Sequence, residues 1–155
     1  MTLNRRRLIQ DGRQINIQLD QLANRSLAEA DITGVQALTL LYILQNAEAG
    51  VSVTSLHLAS GHSKATVSRL VKRLWEKGYV SLKTSVEDGR QKLLSGTAKG
   101  LQLQHFLERS ISKSEEILYR DFSPGELENL NRLQKKMLKN LSTAPESFQK
   151  EETAR

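Results

Sequence analysis

None of the 155 residues is cysteine. That absence removes a disulfide framework, a thiolate metal site, a catalytic thiol and thiol-based redox sensing together. Long apolar runs are missing too. No stretch approaches the ~18 apolar residues of a membrane-spanning helix, and the opening MTLNRRRLIQDGRQ is basic without the apolar centre of a secretory signal. A cytoplasmic location is the expectation. The chain also lacks a glycine-rich phosphate loop and any His-Asp-Ser arrangement with catalytic spacing, so no enzymatic activity is expected. Its histidines do not make a metal site. His57 and His62 stand five apart across a turn and His105 lies far along the chain, whereas zinc ligands come as i, i+4 pairs or tight clusters. No metal and no cofactor are expected.

What is present is a 38% hydrophobic fraction, enough for the core of one domain, and a net charge of +6. A basic surplus favours an anionic partner only if it is concentrated. Here it is: residues 63–92 hold Lys64, Arg69, Lys72, Arg73, Lys77, Lys83, Arg90 and Lys92 against Glu76, Glu87 and Asp88. Charge runs are usually solvated faces, so placement on structure decides what the concentration means.

Leu8, Ile15, Leu19 and Leu22 keep a helical period, although QINIQLD alone alternates like a strand; length and the lack of proline favour a helix. Thr33 and Gln36 have capping-box spacing ahead of an apolar run, Leu38 to Leu44, that should be buried on most sides. Ser52 is placed to cap a short helix with Ser55, Leu56 and Ala59 inward, ended by Gly61, where a tight turn needs positive φ. Ser63 caps the next helix, whose Val67, Leu70, Val71 and Leu74 form one stripe before Gly78 stops it. Two short helices around such a turn make a helix-turn-helix. YVSLKT and QKLLS then read as a hairpin across SVEDGR, with Asp88-Gly89 as the turn. The fold class is mainly α with a small β-hairpin wing.

Thr97 can cap a long helix running to Phe122, with Leu103, Phe106, Leu107, Ile111 and Leu118 as its stripe despite Gly100. Ser123, Pro124 and Glu126 open the last helix, which carries Leu127, Leu130, Leu133, Met137 and Leu141. From Ser142 onward the chain is polar, and 142–155 is expected to be a flexible tail. The two terminal helices carry more apolar stripe than a small core can bury, which predicts a homodimer.

The stripe of the second short helix sends its other residues outward. Ser63, Lys64, Ala65, Thr66, Ser68 and Arg69 sit at or near its N-terminus, where small residues allow close approach and long donors reach base edges in a major groove. Lys72 and Arg73 are placed for phosphates. On the hairpin, Arg90 can enter a narrow minor groove, with Asp88 beside it, and Lys92 adds to the same charge. These ten residues, Asp88 apart, are the candidate DNA-binding set.

ITGVQALTLLYIL, SLHLASGHSKATVSRLVKRLWEKGYV and EDGRQKLLSGTAKG resemble the MarR family of winged helix-turn-helix transcription regulators over roughly residues 30–102. The resemblance rests on the spacing of Ile32-Thr33-x-x-Gln36, Ser63-x-x-Thr66-Val67-Ser68-Arg69-Leu70, Leu74-x-x-Lys77-Gly78-Tyr79-Val80, Asp88-x-Arg90 and Thr97-x-x-Gly100. It implies a single unit over 1–141, with a DNA-binding core at 30–100 and dimerisation helices at 4–25 and 101–141. It further implies a homodimer on a pseudo-palindromic operator in double-stranded DNA, and repression relieved by a small-molecule effector whose identity the sequence does not show. There are departures from the family pattern. His57 replaces a usual alanine, His62 a usual aliphatic residue, and Asp88-Gly89-Arg90 carries one cation fewer than the usual Asp-Arg-Arg. The rival reading is a winged-helix protein-association module without specific DNA binding.

Overall fold

The computed structural model describes residues 2–84, 89 and 92–145. Its packing divides the chain into a compact unit Met1–Leu118 and a second that begins at Tyr119. The first unit runs α1 (Arg5–Leu27), a 3-10 turn (Ala28–Ala30), α2 (Gly34–Gln45), α3 (Val53–Ser60), α4 (Lys64–Glu76), β1 (Val80–Thr84), β2 (Lys92–Gly96) and α5 (Ala98–Leu118). The second contains α6 (Pro124–Ser142).

The helical reading of the N-terminus is the one the molecule adopts. Asn4 caps α1 by accepting the Arg6 and Arg7 amides at 3.0 and 3.4 Å. Only its last residue, Leu27, is fully buried, while Leu8, Ile9, Ile15 and Ile17 are exposed. α2 is the centre of the core. Thr33 and Gln36 form the capping box, and Ala37, Leu40 and Ile43 are completely buried. Burial does not extend all round, however: Leu38 is 58% exposed because it opens onto a cavity lined also by α1, α3 and α4 residues.

Ser52 and Ser55 box the start of α3, and Gly61 ends it at φ 76°. Leu56 is the buried anchor. Ala59, expected inward with it, is exposed; at ~100° per residue it lies about 60° off the Leu56 direction, on the turn where the chain leaves the core. β1 and β2 pair antiparallel from Val80↔Gly96 to Thr84↔Lys92. Val51 adds a third, one-residue bridge, its carbonyl accepting the Leu94 amide at 2.7 Å. The expected turn at Asp88 lies outside the described residues.

Thr97 caps α5, accepting the Gly100 amide at 3.2 Å while donating to the Gly78 carbonyl at 2.6 Å. α5 stops at Leu118 and not at Phe122. In the second unit Asp121 takes a left-handed conformation, φ 64°, which breaks helical continuity and frees Ser123 to adopt the extended geometry of a cap. Ser123, Pro124 and Glu126 then open α6 as expected. Leu127, Leu133, Met137 and Leu141 along it are exposed. α6 ends at Ser142, and residues 146–155 of the expected tail lie outside the described residues.

Candidate nucleic-acid interface

α4 has two chemically opposite sides because its sequence puts apolar residues at helical spacing. Val67, Val71 and Leu74 are buried and Leu70 is half-buried. Together with Leu56 of α3 and Leu40 of α2, Val67, Val71 and Leu74 belong to one core cluster that fixes the helix on the domain. Lys64, Ala65, Ser68, Arg69, Lys72 and Arg73 are all exposed on the remaining surface.

The helix N-terminus is built by local hydrogen bonds. The Ser63 hydroxyl accepts the Thr66 amide at 3.2 Å and donates to Thr66 Oγ1 at 3.0 Å. Thr66 is half-buried at the edge of the face, and its Oγ1 also accepts from Arg69 Nη2 at 3.3 Å. A chain of hydroxyls therefore holds the Arg69 guanidinium over the first turn, leaving its other donors outward. Among the described residues, Lys64, Arg69 and Lys72 make no ion pair, whereas Arg73 meets Glu76 at 3.8 Å across an exposed surface. Such an exposed pair is weak, so Arg73 keeps most of its availability. Lys92 is exposed at the start of β2. Arg90 lies outside the described residues.

One cation counted with the basic segment is used elsewhere. Lys77, at the C-terminal cap of α4, has a side chain only 26% exposed. Its Nζ donates to the Asp31 carbonyl and to Gln36 Oε1, 3.3 Å away, and lies 3.9 Å from the Asp31 carboxylate. From the other side, Lys99 donates to the Lys77 carbonyl at 2.7 Å and stands 4.8 Å from the centre of the Tyr79 ring. Thus the exit of α4 is tied to the start of α2 and to the start of α5.

The entrance is tied as well. His57 Nδ1 and the His62 carbonyl are 2.5 Å apart, which makes the ring nitrogen the donor, while the His62 amide donates to Ser60 Oγ at 3.2 Å. The two histidines without a sequence role thus brace the turn around Gly61. Sequence reasoning missed Lys77, Lys99, His57 and Val51 because each acts through a partner outside its own local pattern.

Two short helices around a braced turn, followed by a hairpin, are a winged helix-turn-helix. The comparisons with known proteins narrow the class. A family model described as the MarR family matches residues 30–91. A MarR-family transcriptional regulator from Listeria monocytogenes, solved with a 26mer DNA, has 26% identity and a TM-score of 0.79, over 91% of this chain and 90% of that one. MepR from S. aureus, solved as a DNA complex, has 26% identity and a TM-score of 0.78, over 83% and 92%. The transcriptional regulator SlyA shares the fold at 23% identity and a TM-score of 0.79, over 87% and 94%. No curated protein matches the chain significantly. Residues 30–91 match the MarR-family model, and the chain shares the winged-helix fold of MarR-family regulators.

Proposed function

We propose that the protein is a transcriptional regulator that binds double-stranded operator DNA sequence-specifically, as a homodimer that represses and is released by a small molecule. The observation that carries the DNA reading is the exposed, unpaired face of α4, with Lys64, Ser68, Arg69 and Lys72 around the small Ala65. Ser63, Ala65, Thr66 and Ser68 let the first turn approach base edges. Lys64 and Arg69 supply donors to guanine or phosphate, and Lys72 and Arg73 supply backbone contacts. Lys92 and Arg90 of the hairpin extend the contact toward the neighbouring minor groove. The protein acts on the chromosome in the cytoplasm; among the described residues no single helix is long and apolar enough to cross a membrane.

Dimer formation is supported by Leu8, Ile9, Ile15 and Ile17 of α1 and by Leu133, Met137, Leu138 and Leu141 of α6, all large apolar side chains left exposed by one copy. Release by a small molecule is supported by a cavity of about 570 Å³ beneath the helix-turn-helix. Leu38, Tyr42, Leu70 and His62 are among its lining residues. A ligand there would touch both α2 and the turn that aims α4.

The test is binding to duplexes from the protein's own promoter region over a salt series. Specific operator binding loses affinity linearly in log salt, by about 0.9 per phosphate neutralised, and retains a sequence preference. Arg69→Ala weakens the operator complex about 10- to 100-fold if it makes a bidentate base contact. Equal, weak binding to every duplex would establish the association-module reading instead.

A further inference from the structure

A second cavity lies between the end of α1 and the middle of α5. Its volume is about 310 Å³, at the lower end of the range for small-molecule sites, and its lining is Ser26, Phe106, Arg109, Ser110 and Lys113. Arg109 and Lys113 are one helical turn apart, so both side chains project along the same edge of α5. Among the described residues neither makes an ion pair. Ser110 is 6% exposed, the one buried polar residue of the described chain. Its hydroxyl makes no hydrogen bond to a described residue, unlike the neighbouring Ser114, which donates to the Ser110 carbonyl at 3.3 Å. No fully buried side-chain polar atom among the described residues lacks a partner, so the Ser110 hydroxyl opens into the cavity.

Two unpaired cations, a free hydroxyl in an otherwise buried position and no carboxylate in the lining make an arrangement that lacks only its anion. Ser26, whose proton is engaged by the Ala23 carbonyl at 3.0 Å, presents lone pairs there and can accept from a protonated oxygen. The half-buried Phe106 ring forms an apolar wall of the cavity, and Arg109 and Lys113 are exposed residues beside it.

We propose that this cavity is a binding site for a small oxyanion, a carboxylate or a phosphate, held by Arg109, Lys113 and the Ser110 hydroxyl. The site is separate from the face of α4 and from the cavity beneath the helix-turn-helix, and it stands whether or not the protein binds DNA. The experiment is titration calorimetry and thermal melting of the full chain with sodium phosphate and with sodium acetate, each against sodium chloride at matched ionic strength. Saturable binding of one or both oxyanions is expected, and the stronger of the two identifies the head group. The double variant R109Q/K113Q weakens that binding at least ~10-fold, and Ser110→Ala weakens it several-fold, with ligand-free melting unchanged in each. The proposal is overturned if neither oxyanion exceeds chloride. Equal binding by the wild type and both variants overturns it too.

Discussion

Gly100→Ala sets two physical effects against each other inside α5. Glycine in a helix interior costs about 1 kcal/mol relative to alanine, so propensity alone predicts that the substitution stabilises. Packing predicts the reverse. A Cβ at position 100 would fall well inside 3.0 Å of the Tyr79 carbonyl oxygen, and the next atoms, Tyr79 C and Cα at 3.3 and 3.5 Å, are also backbone. Nothing there is the movable end of a side chain. Relief requires α5 to back away from Gly78 and Tyr79, and three bonds oppose that movement. They run from the Thr97 amide to the Tyr79 carbonyl at 3.0 Å, from Thr97 Oγ1 to the Gly78 carbonyl at 2.6 Å, and from Lys99 Nζ to the Lys77 carbonyl at 2.7 Å. Weakening two of them at about 1 kcal/mol each, with overpacking of about 1–3 kcal/mol, exceeds the propensity gain. The expected net loss is about 2–4 kcal/mol, or a fall in Tm of roughly 4–16 °C for a chain of this size. Urea unfolding at equal protein concentration, with the m-value checked, measures it. A variant about 1 kcal/mol more stable than the wild type would refute the close approach and with it the anchoring of α4's exit on α5.

Lys77→Met keeps the apolar stem but removes the bonds to Asp31 and Gln36; urea unfolding should show a loss of about 1–2 kcal/mol, and no loss would return Lys77 to the solvated charges. Lys72→Ala should lower affinity for all duplexes alike and reduce the log-log salt slope by about 1, whereas a change confined to one sequence would make Lys72 a base reader. Ser63→Ala removes the cap of α4 and should cost about 1 kcal/mol in the same unfolding assay, with full stability retained only if Thr66 finds another acceptor.

The starts of the elements were legible because caps are local chemistry: Thr33 with Gln36, Ser52 with Ser55 and Ser123 with Glu126 each close over three residues. So were the two faces of α4, since 3.6-residue periodicity is written in its own stretch. Long-range partners were not. Lys77 meets a carbonyl 46 positions away, Val51 pairs with Leu94, and neither relation leaves a mark in a window of local sequence. Leu38 and Ala59 went the other way: their local patterns point inward, but the surrounding elements leave them exposed.

These two kinds of information have different consequences for recognition. The sequence of α4 alone decides that Lys64, Ser68, Arg69 and Lys72 face away from Val67, Val71 and Leu74. It does not decide where in space that side is aimed. The aim is set at the entrance, where His57 holds the His62 carbonyl, and at the exit, where Lys77 reaches Asp31 while Lys99 and Thr97 hold Lys77 and Gly78. A helix that reads base edges must keep its donors within a few tenths of an ångström of their partners. In the proposed complex, the residues that brace α4 therefore share control of affinity with those on its exposed face. There, substitutions at His57 or Lys77 should act on every operator position together, whereas a substitution at Arg69 should act at a single position if it contacts a base there.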